Sequence, residues 1–351
     1  MSRGTKPFRA FLPKIARLRF LPLLAASAAL AQGTSTTQET SAPPLKPAIV
    51  YDLGGKFDKS FNEGVYTGAE KFKKDTGVEY REFEPQNEAQ KEQALRRFAR
   101  DGFSPIVAVG FSQKAAVEKV AGEFPNVRFA IIDNVADRPN VRSLVFKEHE
   151  GSYLVGLLGA MASKTGKLGF VGGMDIPLIR KFACGYVQGV KSVRRDAEVL
   201  QNMTGATGAA WSDPVKGGEL AKSQIDRGAD VIFQAAGGTG LGVLRAAADA
   251  GKLGIGSDAN QNGLFPGRVL TSMLKRVDRA TYTAFTQARD PAWGGPLELG
   301  LKEDAVGWAY DEFNKDLITP EMKEAADKAA AEIKSGALRV HDSTSDGKCP
   351  L

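Results

Sequence analysis

The stretch Tyr51-Asp52-Leu53-Gly54-Gly55-Lys56-Phe57-Asp58-Lys59-Ser60-Phe61-Asn62-Glu63-Gly64 decides the fold. The apolar run Pro47-Ala48-Ile49-Val50-Tyr51 before it is short and β-prone, and Val65 to Lys74 after it has helical composition. The stretch is therefore a loop at a strand-to-helix junction. In open α/β sheets such junctions lie at the carboxyl edge, where ligands bind. An aspartate, a glycine turn and a Ser-Phe-Asn triplet in one such loop predict a ligand-binding loop. An ordinary βα turn, with Gly54-Gly55 as the turn and Ser60 as helix N-cap, is the competing reading.

Working outward, strand-like runs recur with helical stretches between them: Ala48–Val50, Pro105–Val109, Arg128–Ile132, Val141–Phe146, Lys167–Val171, Val231–Gln234, Leu253–Gly256 and Val269–Met273. This alternation predicts an α/β protein with parallel sheets covered by helices on both faces. The order of runs repeats in two blocks, and each block ends a late strand on an aspartate, Asp133 in the first and Asp258 in the second. A chain folded as two like lobes would bring both carboxyl edges to one cleft.

Residues 1–31 read as a cleavable secretory signal peptide, with an uncleaved anchor as the alternative. Arg3, Lys6, Arg9, Lys14, Arg17 and Arg19 precede the apolar run Phe20–Leu30, and Ala29-Leu30-Ala31 suits a cleavage site. The run is too short to span a bilayer. No cysteine follows it closely, so a soluble exported protein without a lipid anchor is expected, located in the periplasm. The chain carries 47 Lys plus Arg and 41 Asp plus Glu; removing the six basic residues above leaves 41 against 41. The high pI of about 9.1 is thus mostly a property of the presequence and gives no support to a nucleic-acid partner. Residues 32–46, rich in Thr, Ser, Gln and Pro, read as a flexible leader.

Asp52-x-Gly-Gly-x-x-Asp-Lys-Ser-Phe-Asn62, Ile131-Ile-Asp133, Phe182-x-x-Gly185, Ala236-Gly-Gly-Thr-Gly240, Ser257-Asp258 and Thr271-Ser-Met-Leu-Lys275-x-Val-Asp278 together resemble the basic membrane protein family. These are nucleoside-binding, substrate-binding proteins of ABC transporters, and the resemblance runs from about residue 47 to 340. It implies a type I periplasmic-binding-protein fold, two Rossmann-like lobes joined by three crossing segments, closing over a small ligand. The expected lobes are 47–150 with about 276–305, and 151–275 with about 306–340, followed by a tail at 341–351. The expected partners are a nucleoside and the permease of an ABC importer, with the protein a monomer. Many members of the family are lipoproteins; this chain lacks their acylated cysteine.

A purine has two apolar faces and a rim of donors and acceptors, so stacking aromatics plus a few polar groups make an economical receptor. Phe61 is the first stacking candidate, with a core position at a helix start as its alternative. The opposing stack falls to Phe182, which would open a helix after the loop 172–180, or to Phe233, which would end a strand before Gly237; either fits a core position equally well. Asp52 and Asn62 are the base-edge candidates that the resemblance supports, and Gly238 permits close backbone approach. Asp258 and Lys275 suit a ribose, a carboxylate accepting from vicinal hydroxyls and an ammonium donating to their oxygens. A helix N-cap and a solvated surface lysine are their respective alternatives. Asp133 is assigned to the first-lobe side, for sugar or base.

No catalytic residue, cofactor or metal ligand is expected. His149 and His341 are the only histidines, and neither H-E-x-x-H nor G-x-S-x-G occurs. Gly238-Thr-Gly240-Leu-Gly242 has the wrong spacing for a dinucleotide loop. A nucleoside-cleaving enzyme using Asp52 or Asp58 on water, and a receptor of the same fold for riboflavin or another small solute, are the alternatives. A sugar-responsive repressor would carry a helix-turn-helix where the presequence stands. Cys184 and Cys349 have a disulfide open to them in an oxidising compartment, provided the fold brings them together.

Overall fold

The structure, a computed structural model, describes residues 44–350. The presequence expected at 1–31, and all but the last three residues of the leader, lie outside the described residues.

The chain alternates strands and helices throughout. The first half runs β1 (Ala48–Val50), α1 (Phe61–Thr76), β2 (Arg81–Phe83), α2 (Glu88–Arg100), β3 (Ile106–Ala108), α3 (Lys114–Glu123), β4 (Phe129–Ile132) and β5 (Val141–Phe146). The second runs α4 (Glu148–Ala162), β6 (Lys167–Met174), α5 (Pro177–Val193), β7 (Glu198–Gly205), α6 (Pro214–Asp226), β8 (Val231–Ala235), α7 (Gly240–Asp249), β9 (Leu253–Asp258) and β10 (Val269–Lys275). It then returns through α8 (Val277–Thr286), β11 (Gly295–Leu299), β12 (Val306–Trp308) and α9 (Pro320–Ser335).

Two six-stranded sheets result, in the orders β11-β5-β4-β3-β1-β2 and β12-β10-β9-β8-β6-β7. Every pairing is parallel except that of β12 with β10. The chain changes sheet three times, after β5, after β10 and after β11. The eight runs read as strands are all strands, and they are the eight inner ones. The four strands not foreseen, β2, β7, β11 and β12, are the four sheet edges.

Helices cover both faces, which is why the inner strands are continuous apolar runs rather than alternating ones. In β1, Ala48 and Val50 face a core with Leu95 of α2 and Val117 of α3, whereas Ile49 faces one with Val65 and Phe72 of α1. In β8, Ile232 faces Ala221 and Val243 of α6 and α7, and Val231 and Phe233 face the opposite side with Phe170 and Tyr186. Helices α4 and α5 press together backbone to backbone: a Cβ on Gly185 would lie 2.4 Å from the carbonyl oxygen of His149. The glycine of the Phe182-x-x-Gly185 motif is therefore a packing residue, and it sets the helix that carries Phe182.

Cys184 of α5 is joined to Cys349 by a disulfide that ties the C-terminal tail to this helix. Gln188, one turn further on, donates to the carbonyl of His341 and accepts from its N–H, 3.0 and 2.9 Å.

Candidate functional site

The loop after β1 is shaped by its own polar groups. The Asp58 carboxylate, not the Ser60 hydroxyl, caps α1, accepting from the backbone N–H of Ser60, Asn62 and Glu63 at 2.8, 3.0 and 3.1 Å. Burial pushes the Asp58 pKa up to about 6 against those three donors. Ser60 Oγ is thereby released to donate to Asp258 Oδ2 at 2.5 Å, from the first sheet's half of the molecule to the second's. Gln261 Nε2 makes a parallel link, donating to the carbonyl of Lys59 at 2.9 Å.

A cavity lies between the carboxyl edges of the two sheets, with about 550 Å³ of empty space when its open mouth is included. Asp52 after β1, Asp133 after β4, Asp258 at the end of β9 and Lys275 at the end of β10 all line it. Asp133 and Asp258 occupy equivalent places in the two sheets, and both adopt left-handed backbone, φ 72° and 64°, a conformation Asp tolerates better than most residues. The repeat seen in the sequence is thus a repeat of geometry.

Lys275 is the hub. Its Nζ lies 2.7 Å from Asp133 Oδ2 and 2.9 Å from Glu148 Oε1, and Glu148 Oε2 in turn meets Lys181 Nζ at 2.7 Å. Glu148 and Lys275 are almost wholly shielded from solvent. Burial acts against the Lys275 charge, but Asp133, Glu148 and Asp258 outweigh it and hold the ammonium above its usual range. Burial likewise raises Asp133, to about 6, with Lys275 opposing, and raises Asp258. Glu148 ends below its usual range because Lys275 and Lys181 together overcome its burial. Asp133 Oδ1 is buried and makes no hydrogen bond within the protein, so one acceptor beside the cavity stands ready for an incoming donor.

The Lys275 ammonium also lies 5.2 Å from the Phe61 ring centroid and 5.6 Å from that of Phe182, close enough for cation–π attraction. Both rings line the cavity, one carried by α1 and the other by α5. At the Asp52 end, Asn62 Oδ1 accepts from the Asp52 N–H at 3.2 Å. Asp52 Oδ1 accepts from Leu53 N–H at 2.8 Å and Lys91 Nζ at 2.5 Å. Gly110 makes room for this carboxylate: a Cβ there would lie 2.1 Å from Asp52 Oδ2, and its φ of +97° is one that glycine adopts freely.

Seven of the nine residues expected at the site therefore converge on one cavity: Asp52, Phe61, Asn62, Asp133, Phe182, Asp258 and Lys275. Two do not line it. Phe233 lies in the middle of β8, fully buried between Phe170 and Tyr186 at centroid distances of 5.5 and 5.1 Å, so it is a core residue. Gly238 stands one residue beyond the lining Gly237 and packs toward the Trp211 carbonyl. Phe182 sits in the second turn of α5, which begins at Pro177, earlier than the sequence suggested.

The sequence reading missed Trp211, Phe111, Leu178 and Ile179 of the lining, and the buried Glu148 and Lys181 behind Lys275. Trp211 sits on a short turn between β7 and α6, and only recognition of β7 as a strand would have marked that turn as a carboxyl-edge loop. No group of three or more His, Cys, Asp or Glu among the described residues is arranged to hold a metal ion.

This fold recurs in known proteins. A family profile described as "ABC transporter substrate-binding protein PnrA-like" matches residues 46–343. The ABC transporter nucleoside-binding protein BmpA of Lactococcus lactis subsp. cremoris is 31% identical over 334 residues, 88% of this chain and 92% of its own. A lipoprotein of Pyrococcus abyssi is 35% identical over 297 residues, 80% of this chain and 72% of its own. The crystal structure of an ABC transporter solute-binding protein from Aeropyrum pernix superposes with a TM-score of 0.77 at 29% identity, covering 84% of this chain and 93% of that one. The fold extends to the ribose-bound LacI-family regulator of Enterococcus faecium, at a TM-score of 0.54, 12% identity and coverage of 76% and 97%. With the family profile spanning nearly all of the described residues, the chain belongs to the basic membrane protein, PnrA-like family, and is an extracytoplasmic substrate-binding protein that takes up a small solute for an ABC transporter rather than an enzyme.

Proposed function

We propose that this protein captures a nucleoside, foremost a purine nucleoside, in the cavity between its two sheets and presents it to an ABC importer. The observation that carries the reading is the pairing of two chemistries in one cavity. Phe61 and Phe182 enter from separate halves of the molecule, and Asp133 and Asp258 flank Lys275 with an unused buried acceptor on Asp133. A base needs the first and a ribose the second. The Lactococcus relative, named as nucleoside-binding, supports the same reading. In this account the base edge meets Asp52 and Asn62, the base stacks between Phe61 and Phe182, and the sugar hydroxyls meet Asp133, Asp258 and Lys275.

The two sheets with their helices act as lobes, 47–150 with 276–305 and 151–275 with 306–340, and ligand binding favours the closed arrangement held by Ser60–Asp258 and Gln261–Lys59. The protein works as a monomer. It is released after export without a lipid anchor; because the Pyrococcus relative is a lipoprotein, detergent phase partitioning of the natively expressed protein is the relevant check, an aqueous-phase protein being the expected result.

Calorimetry with adenosine, guanosine, inosine and uridine tests the ligand. Two stacks and several charged hydrogen bonds in a closed cleft correspond to a Kd between about a micromolar and a nanomolar. Binding of none of the four below a millimolar would refute the nucleoside reading. One observation favours riboflavin as a second ligand: Asp52, Phe111 and Trp211 also line an adjoining recess with Met174 and Thr207, which gives a longer flat ring system somewhere to extend.

A further inference from the structure

Lys91 is the single lysine of α2, outside every motif that marks the site, and it faces inward. It is 1% exposed, and its ammonium meets Asp52 Oδ1 at 2.5 Å, Ser112 Oγ at 2.7 Å and Glu88 at 3.0 Å. A lysine is seldom buried this deeply unless its charge is paired, and the pairing here ends on a cavity-lining carboxylate. Asp52 Oδ1 is then occupied by Lys91 and Leu53 N–H, which leaves Oδ2, the oxygen beside Gly110, as the acceptor for a ligand. Asn62 is fixed in the opposite sense. Its Oδ1 takes the Asp52 N–H, so its Nδ2 is the group left to donate.

We infer that Lys91 is a positioning residue that holds Asp52 as an ionised, acceptor-only group, so that the cavity selects nucleobases presenting an N–H donor to it and discriminates against bases that present only acceptors. The inference rests on the nucleoside reading above. Burial pushes the Asp52 carboxyl up and the net shift stays upward, with Lys91 the strongest influence in the other direction. Without the lysine, the carboxyl moves further up, and in its protonated form it is a donor. The remaining charged groups around it are Glu88 on the Lys91 helix and, lining the same cavity, Asp58, Asp133, Asp258 and Lys275. Those groups act alike on ligands that differ only in the base edge, so a ratio of affinities isolates Asp52.

The test compares adenosine and inosine, which carry a base N–H on that edge, with purine riboside, which carries none, by calorimetry between pH 6 and 8. The wild-type protein should favour the better of the first two over purine riboside by about 100-fold or more, since a site built around a polar contact rejects the analogue lacking it, and the ratio should change less with pH than in the variants below. In Lys91→Met the ratio should fall below about fivefold at pH 6 and climb as pH rises, because a carboxyl with a raised pKa ionises, and regains its acceptor character, only as pH passes that value. Lys91→Gln retains a donor to Asp52 without the charge and should show the same pH dependence; it reports if the methionine variant does not fold, as judged by thermal melting. A ratio in either folded variant that matches wild type throughout this pH range overturns the role of Lys91. So does a wild-type protein that binds all three nucleosides alike, which leaves the nucleoside reading standing. Failure of the wild-type protein to bind any of the three below a millimolar overturns both.

Discussion

Replacing Asp133 with asparagine separates what this residue does for the fold from what it does for the ligand. Burial is the main reason its pKa stands at about 6 rather than 3.8, with Lys275 pulling the other way. A folded-state value above the unfolded one means that the folded protein holds the proton more tightly. The cost of ionising Asp133 is therefore fully present above about pH 6 and fades as pH falls toward 4. At 1.36 kcal/mol per pH unit, the gap of about two units is worth about 3 kcal/mol, of which about 2 kcal/mol appears between pH 4 and pH 7. Asp133→Asn has no proton to gain, so relative to wild type it should gain stability on the order of 2 kcal/mol across that interval, added to the offset from the altered contact with Lys275, through which Glu148 and Asp258 also respond. Nucleoside affinity should move in the other direction, because a charged hydrogen bond to a sugar hydroxyl is lost: about 1.5–3 kcal/mol, or roughly ten- to 150-fold. Urea unfolding of both proteins at pH 4, 5, 6 and 7, with calorimetry at pH 7, measures the two effects. A stability difference flat to within about 0.5 kcal/mol over that range, or an unchanged Kd, would show that Asp133 does not have this role.

Three further outcomes follow from the same geometry. Phe61→Ala should weaken nucleoside binding by about 1–3 kcal/mol with little change in melting temperature, whereas Phe233→Ala, between Phe170 and Tyr186, should cost about 3–5 kcal/mol of folding stability; calorimetry and urea titration separate the two, and an affinity loss confined to Phe233→Ala would reverse the assignment. Asp52, Asp58, Asp133, Glu148 and Asp258 outnumber Lys91, Lys181 and Lys275 in and behind the cavity, so a nucleoside 5′-monophosphate should bind about a hundredfold more weakly than its nucleoside or worse, checked by competition calorimetry. Cys349→Ser frees the tail from α5 and should lower unfolding stability by about 2–4 kcal/mol while leaving Kd within about threefold, since neither cysteine lines the cavity; urea unfolding of the oxidised protein and ligand titration check the two halves of that statement.

How much of this was legible in the sequence depended on burial. Inner strands of a parallel sheet are covered on both faces and must be apolar along their length, as in Ala48–Val50 and Val231–Ala235, so they stand out as short β-prone runs. Edge strands escape that requirement. In β11 four of five residues are exposed, in β2 two of three, and in β7 Leu200 is the one residue fully buried, so composition carried no signal for them. Their pairing comes from backbone hydrogen bonds to a neighbour already in place, which is a tertiary fact.

The same distinction governs the site. Asp52, Asn62, Asp133 and Asp258 were readable because they follow inner strands, and the carboxyl ends of those strands define the cleft. Trp211 follows β7, an edge strand without an apolar run, and so the loop that carries it had no place in the topology until the sheet was known. Phe233 failed for a related reason: alternation assigns neighbours to opposite faces of a strand, but in a strand buried on both sides neither face is marked as the ligand's. Lys91 and Glu148 were less visible still, since charged residues within helices ordinarily face water. Their burial follows from Asp52 and Lys275, whose own charges have to be matched from behind once the cavity has excluded solvent from in front. The residues a sequence shows least readily here are thus the ones that fix the charge state of the residues it shows best.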